Sequence, residues 1–572
     1  MSPDAAGGGK DPYLSTQLIP YLGSKRSLLP LLREVFGELV AEAGRAPRFL
    51  DPFCGSGAVS RLARRMGMAV AANDREPYAA LLASVWLRHD PSSLEAACGP
   101  GGASGRFDRL NELHPERGGG PVAPERRGWF ARNYAPADTA SADWRRERLF
   151  YTAENAAFMD RVVDSLRGLP EAGGGETPGF REIALAALTL EAAVHANTSG
   201  VFKACHKGFG GHSGDALGRI LAPMRLEVPV VIGGAESEVA MMDASDFARS
   251  RPVDLAYLDP PYNQHQYGSN YHLLNAVVRL GGDEPGLALG VDGTLVDKAG
   301  IGRAWKETRS DFCSRAKAGA AYARLLDAVD AGRIVVSANT EGTVGFEELL
   351  DLLAPRGPVD VRIADYVRYR GGRQSADRRV RNHELVLIVD ARKDGRTGRG
   401  AATERRRLSA ELAFRKALSQ PLDPSLLSAA FALRGDVLEL PARRGTVGLA
   451  LDLGVRVRSL PDSSRFEDGE LGALTASLSE CVVSGNGRLC AIYAEVGADP
   501  DRTDGEARRA FAEALAALRR LAHAKHAAAF AEAAAALEAA AARRAGVHCR
   551  KIMSGVRELA GLLERRALAS GR

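Results

Sequence analysis

The chain has 572 residues, 45% of them hydrophobic and 26% charged, with a net charge of +5. That length exceeds what a single hydrophobic core holds, so two or three domains are expected, and the composition excludes disorder as the overall state. The small positive excess suits a nucleic-acid partner without requiring one, and a general bias toward Ala, Arg and Gly weakens any argument from arginine counts.

In chain order, the first ninety residues alternate: a helix near Leu28–Ala43, a strand at Arg48–Asp51, a helix from Ala58, a strand at Ala69–Asn73 and a further helix. Such alternation predicts a parallel sheet. A stretch rich in Gly, Pro and charge from Pro91 to Ala142 breaks the pattern, followed by helices near Ala153–Leu166 and Arg181–Asn197; residues 90–235 read as an insertion. Strand character returns at Val228–Ile232, Val239–Met242 and Asp254–Leu258. It continues at Arg333–Ala338 and in two strands, Val359–Arg368 and Asn382–Val389, joined by a basic loop. Residues 391–407, rich in Arg, Gly and Lys, read as a basic linker. Residues 408–572 read as a largely helical α+β accessory domain of unknown role, with strand character at Val447–Val455 and an Ala-rich helix at Ala527–Arg543 that needs no more than a core-packing explanation. Seven cysteines with no CxxC pair fit a reducing cytoplasm and make a metal site unexpected. No apolar run reaches bilayer length and no secretory signal is evident, so no membrane partner is expected.

Two strand ends carry chemistry. In Asp51-Pro52-Phe53-Cys54-Gly55-Ser56-Gly57 an acidic residue ends a strand and two glycines form the turn into a helix, where a ligand can approach the backbone. The spacing is neither the dinucleotide fingerprint nor a P-loop. Asp74 ends the next strand, where doubly wound folds often hold ribose hydroxyls; its plainer role would be to cap the following helix. The run Asp259-Pro260-Pro261-Tyr262 then sets a carboxylate and an aromatic ring at the carboxyl end of a buried strand. Asp259 and the Pro260 carbonyl offer acceptors to an amino group, and Tyr262 offers a face for a base that has left its duplex. Two acceptors on an exocyclic amine oppose delocalisation of its lone pair and aim the nitrogen at an electrophilic methyl. Attack through cytosine C5 is disfavoured, because that chemistry uses a cysteine, usually after proline, and no cysteine here follows a proline.

These motifs in this order resemble the α-group of DNA adenine-N6 methyltransferases, which includes the Dam-like enzymes. Tyr21-Leu22-Gly23-Ser24-Lys25 is similar to the group's amino-terminal cofactor motif, the glycine turn to its cofactor loop, Asn73-Asp74 to its ribose-binding strand end and the Asp259 tetrad to its catalytic motif. The segments from Asn263 to His272 and from Ser337 to Gly342 continue the likeness, which spans residues 15–390. It implies an α/β fold with a Rossmann-like seven-stranded sheet whose last strand is reversed. It also implies S-adenosylmethionine as cofactor, held by Tyr21, Gly23, Lys25, Asp51, Phe53, Gly55, Gly57 and Asp74, with Asp243 beside the adenine. Asp243 would otherwise cap a short helix from Ser245. By the same likeness residues 90–235 carry target recognition. The loop from His195 to Gly211, basic, aromatic and glycine-rich, suits contact with double-stranded DNA, with Lys203 and Lys207 on phosphates unless the loop is merely solvated. The basic loop at 368–381 is as consistent with plain surface as with DNA.

Three rivals stay open on the sequence: a cytosine-N4 enzyme, since both bases offer an amino group; a catalytically silent DNA-binding regulator; and an enzyme acting on RNA. A modification role beside restriction or defence proteins follows only by analogy.

Overall fold

The buried strands of the first region join one seven-stranded sheet in the computed structural model, which describes residues 11–569 apart from 121–123, 172–177, 211–215, 250, 283–285, 341, 368–380, 394–398, 444 and 545–546. The basic loop expected at 368–381 therefore falls almost wholly outside the described residues. The strands are β1 (Arg48–Asp51), β2 (Ala69–Asn73), β3 (Glu238–Ala240), β4 (Val253–Leu258), β5 (Ala331–Asn339), β6 (Val359–Val367) and β7 (Arg381–Asp390), in spatial order β3-β2-β1-β4-β5-β7-β6. β3, β2, β1, β4 and β5 run parallel, and β7 enters antiparallel to β5, with Ser337 opposite Val386. The result is a mixed, parallel-rich α/β sheet consistent with a methyltransferase fold.

Burial explains the run-like composition of these strands, since parallel strands covered on both faces need apolar residues throughout. On one face α1 (Leu29–Ala43) and α2 (Ala58–Arg65) pack Leu32, Phe36 and Leu62 against Phe49, Val70, Tyr257 and Val335. On the other, α3 (Pro77–Arg88) brings Tyr78 and Trp86 into a core shared with the helices Ala153–Arg167 and Phe180–Val194 and with Leu273 and Leu274. Among the described residues the insertion's helices share this core.

Three expectations are corrected. Val228–Ile232 joins no sheet: the Gln17 side chain donates to the Val228 carbonyl (2.9 Å) and accepts from Val230 N (2.7 Å), and Pro229 has no N–H to offer a ladder. The stretch from Pro91 to Ala142 contains the helices Pro91–Cys98, Gly102–Asn111 and Trp129–Tyr134, the first capped by Asp90 on Ser93 N. Much of the expected linker is helix, Arg399–Leu418, because its second half consists mainly of strong helix formers.

A second unit follows from Thr397. It holds a four-stranded antiparallel sheet, β8 (Ala432–Arg434), β9 (Val437–Ala442), β10 (Gly445–Asp452) and β11 (Arg456–Val457), in order β11-β10-β9-β8. Leu438, Leu440 and Leu449 of that sheet pack on Phe414, Phe466 and Leu471. The Ala-rich helix Ala527–Arg543 buries Phe530, Ala533, Ala534, Leu537, Ala540 and Ala541, one helical face, against Tyr493 and Phe511. Among the described residues no helix is long and apolar enough to cross a membrane.

Candidate active site

At the carboxyl ends of β1, β2 and β4 lies one cleft of about 850 Å³, counting its open mouth. Its first wall is the turn after β1. Gly55 and Gly57 both take positive φ (51° and 76°), and a β-carbon on Gly55 would stand 3.0 Å from the Tyr21 ring, so both conformation and space demand glycine there. Gly55 lines the cleft; Gly57 does not, and serves the turn into α2. Asp51 accepts from Ser60 Oγ (2.5 Å) and Phe53 N (3.3 Å). Asp74 accepts from Gly55 N and from Glu76 N, both at 2.9 Å, so its carboxylate ties the glycine turn to the start of α3. Buried Asn73 donates to the carbonyls of Pro52 and Met242 and accepts from Met242 N, clamping three strand ends.

Burial pushes the carboxyls on this wall upward. Asp51 reaches about 7 although Ser60 opposes the rise, and Asp74 reaches about 6 against the pull of the Glu76 and Gly55 amides. Glu76, raised to about 7 by burial, receives a 2.7 Å hydrogen bond from Asn275 Nδ2. Three carboxyls poised near neutrality suit a ligand rich in hydroxyl donors or carrying positive charge.

The opposite wall is built from residues far apart in the chain. Asp259, just beyond β4, meets Lys25 Nζ at 2.9 Å; Lys25 is buried and the Asp259 side chain is 15% exposed, toward the cleft that it lines. Lys25 also donates to the Gly23 carbonyl (3.1 Å) and to Tyr262 Oη (3.3 Å), and its ammonium stands 4.8 Å from the centre of the Tyr262 ring. Tyr262 Oη donates in turn to Glu384 Oε1 of β7 at 3.4 Å. Burial alone would lower Lys25, but Asp259, Tyr262 and Glu384 outweigh it and hold the ammonium well above its ordinary range. Asp259 and Glu384 are pushed up by burial, with Lys25 opposing. One ammonium thus pairs directly with Asp259 and acts on Glu384 across Tyr262 Oη.

A tyrosine cluster supports this wall. Tyr21 and Tyr271 stack with centroids 5.2 Å apart, Tyr267 Oη donates to the Leu22 carbonyl (3.0 Å), and Tyr271 Oη accepts from Leu22 N (2.8 Å). Gly23, at φ 77°, lies where a β-carbon would stand 3.1 Å from Tyr262 Oη.

The cleft therefore brings together Tyr21, Gly23, Lys25, Asp51, Phe53, Gly55, Asp74, Asp259, Pro260 and Tyr262. Asp243 stands outside it. It caps the helix Ala244–Ala248 through Ser245 N (2.9 Å), and its side chain is half exposed. Lys203 and Lys207 are exposed on a loop tied down by Asn197, which donates to the carbonyls of Leu149 and Gly208. Sequence reasoning missed Glu76, Glu384, Tyr267 and Tyr271. The tyrosine spacing of one helical turn was the available sign for the last two; nothing local distinguishes Glu384 within its strand. Among the described residues no group of three or more His, Cys, Asp or Glu side chains is placed to hold a metal ion.

A parallel-rich sheet with this cleft at its strand ends, where a carboxylate and a backbone carbonyl lie beside an aromatic ring, is consistent with a methyltransferase fold. Residues 21–99 and 229–289 match the D12 class N6 adenine-specific DNA methyltransferase family, leaving most of the insertion between the matched blocks. The chain is 26% identical over 365 residues to the Type II methyltransferase M.NlaIII of Neisseria lactamica, covering 64% of this chain and 95% of the relative. It is 24% identical to the Type II methyltransferase M.CviAII of Paramecium bursaria Chlorella virus 1, over 65% of this chain and 99% of that one. The modification methylase StsI of Streptococcus sanguinis is 24% identical over 64% of this chain, which spans only 51% of StsI. No solved structure matches. The family match and the names of the relatives together support an adenine-specific DNA methyltransferase over the cytosine-N4 rival.

Proposed function

We propose that the cleft binds S-adenosylmethionine and that the enzyme methylates N6 of an adenine flipped out of double-stranded DNA. The observation that carries this reading is that the glycine-turn wall and the Asp259 wall face a single cleft. The carboxyls of Asp74 and Glu76 suit the hydroxyls of a ribose, and the Phe53 and Tyr21 rings supply apolar surface beside the turn. Gly23 and Gly55 leave room for the methionine end close to the backbone. Bound there, the cofactor supplies an electrophilic methyl group.

Lys25 engages one oxygen of Asp259. The other oxygen and the Pro260 carbonyl accept the two N6 hydrogens, hold the amine in line and offset the positive charge that develops on nitrogen. Tyr262, its hydroxyl fixed between Lys25 and Glu384, presents a ring for the flipped base. Residues 90–235 act in target recognition, Lys203 and Lys207 meet phosphates, and relatives named modification methylases support a modification role; restriction or defence proteins beside it follow by analogy alone. The test is methyl transfer from labelled cofactor to unmethylated mixed-sequence DNA, followed by nucleoside analysis. N6-methyladenine formed by the wild type and absent with Asp259→Ala is expected; product undiminished in that variant would overturn the assignment.

A further inference from the structure

The connection between the Asp259 tetrad and β5 carries a hairpin, residues 286–300, whose surface is unusual. Leu289 bridges Leu295 antiparallel, Val296 N donates to the Ala288 carbonyl (2.9 Å) and Gly290 N to the Thr294 carbonyl (2.7 Å). Gly293 closes the turn at φ 73° and Asp292 accepts from Thr294 N and Oγ1. The base is fixed from beneath: Arg148, fully buried, donates to the carbonyls of Gly286 (2.7 Å) and Asp297 (3.0 Å), and Tyr134 Oη donates to the Gly300 carbonyl. On this rigid base Leu287 and Leu289 are nearly half exposed, Val296 is 67% exposed and Val291, at the tip, is wholly exposed. Four apolar side chains held out in water on a braced turn are unfavourable unless something covers them.

Next to them is a patch of positive charge. Leu295 N donates to the Arg145 carbonyl, which joins the hairpin to the Trp144 segment. Around the Trp144 ring stand Lys207 Nζ at 4.4 Å, the Arg145 guanidinium at 4.7 Å and Lys298 Nζ at 5.6 Å from its centre. The nearby carboxylates are occupied: Asp143 lies 3.9 Å from Arg145, Asp292 serves the turn, and Asp297 accepts from Ala299 N and Gly300 N. Three cations from three segments thus gather on one ring, only Arg145 being in an ion pair among the described residues, with Asp143, and a patch of this kind attracts a polyanion. Further along the same connection Thr308 and Ser310 line the active-site cleft, so one chain segment carries both the hairpin and part of the cleft wall.

We infer that the hairpin is a wedge: its apolar tip enters the DNA duplex beside the flipped adenine while Lys207, Arg145 and Lys298 hold the adjoining phosphates. This rests on the reading of the cleft given above. A duplex satisfies both demands at once, because opened base steps bury apolar side chains and the backbone supplies the charge. It also assigns Lys207 a setting that Lys203 does not share.

The test uses the full-length enzyme and two variants, Leu289→Ser/Val291→Ser and Lys298→Glu, none of these positions lying in the catalytic machinery. An inserted wedge untwists DNA, so closed circular plasmid relaxed by topoisomerase with bound enzyme should retain a shifted linking number. The tip variant should lose that shift and at least about tenfold in duplex methylation, with its salt dependence of DNA binding unchanged. Lys298→Glu should lower that salt slope by about one and keep the shift wherever it is bound. The inference is overturned if the wild type leaves the linking number unchanged, or if the tip variant untwists DNA as the wild type does. Loss of self-association in light scattering with unaltered DNA behaviour would assign the hairpin to protein contact instead. Untwisting by a wild type that transfers no methyl group would leave the wedge standing and sink the proposed reaction.

Discussion

The two walls of the cleft are held by different kinds of bond. On the glycine side two of the three carboxylates are fixed from within residues 51–76, Asp51 by Ser60 and Phe53 and Asp74 by Gly55 and Glu76, while Glu76 itself is reached by Asn275. On the Asp259 side each group is fixed from a distant part of the chain, Asp259 by Lys25, Tyr262 by Glu384 and Leu22 by Tyr267 and Tyr271. A wall built locally forms once β1 and β2 pair. The other exists only after β7 has closed the sheet and the amino-terminal segment has folded under the tetrad. Changes on the first wall should therefore act mainly on cofactor binding, and changes on the second on folding and transfer together.

The largest effect is expected from Lys25→Met, which removes the ammonium that pairs with Asp259 and offsets the nearby charge of Glu384. Removing one partner of a buried charge cluster costs roughly 3–5 kcal/mol. Glu384→Gln in the same background removes one of the opposed charges and should return part of that loss, a coupling that denaturation midpoints of the four proteins in the cycle would measure. Independent, additive losses would mean that the three groups do not form one cluster.

Gly55→Ala comes next. A left-handed φ and a β-carbon pressed on Tyr21 should cost roughly 1–2 kcal/mol of stability. Cofactor affinity should fall along with it, read by calorimetry, while the Lys25 cluster keeps its coupling. If coupling energy changed as well, the two walls would not be independent.

The pH dependence tests the local wall directly. Asp51, Asp74 and Glu76 are raised to about 7, 6 and 7, above the values of an unfolded chain. Their protonation thus stabilises the free protein at low pH, and that contribution is lost as the pH rises through 6 and 7. A ligand that offers hydroxyl donors and a positive charge prefers the ionised carboxylates, so binding should release protons. Cofactor affinity should rise through the same interval, and calorimetry in buffers of different ionisation enthalpy should report the release. Affinity that is flat from pH 5 to pH 8 would remove these carboxyls from the cofactor site.

The same division governs how much was legible in the sequence. Strand–turn–helix units, the glycine turn and the Asp259 tetrad are local patterns, and a parallel sheet followed from the first of them, whereas the reversed final strand was implied only by the family resemblance. Glu384 sits in an ordinary apolar strand, and only the antiparallel pairing of Ser337 with Val386 and its neighbours carries that strand to the back of Tyr262. Lys25 was legible as a site residue through its motif, but its partner was not, because the ion pair depends on the closure of the sheet. Val228–Ile232 misled for a related reason: its residues favour a strand, yet a single Gln17 side chain satisfies the two backbone groups that a neighbouring strand would have taken.

Asp243 gives the smallest effect and the sharpest use of the comparison. Likeness to the family sets it beside the cofactor's adenine, whereas its carboxylate accepts from Ser245 N and lies 3.8 Å from Arg75, with half the side chain in solvent. If the cap is its whole role, Asp243→Ala should cost about 1 kcal/mol and leave cofactor affinity within twofold, about 0.4 kcal/mol. Asp243→Asn, which can still cap, should restore the stability. A cofactor also held through this carboxylate would instead lose affinity in both variants, since asparagine keeps the cap but not the charge. That outcome would extend the locally built wall past the end of β3, and the adenine side of the cofactor would then be bound by the same kind of near-neighbour carboxylate as the ribose.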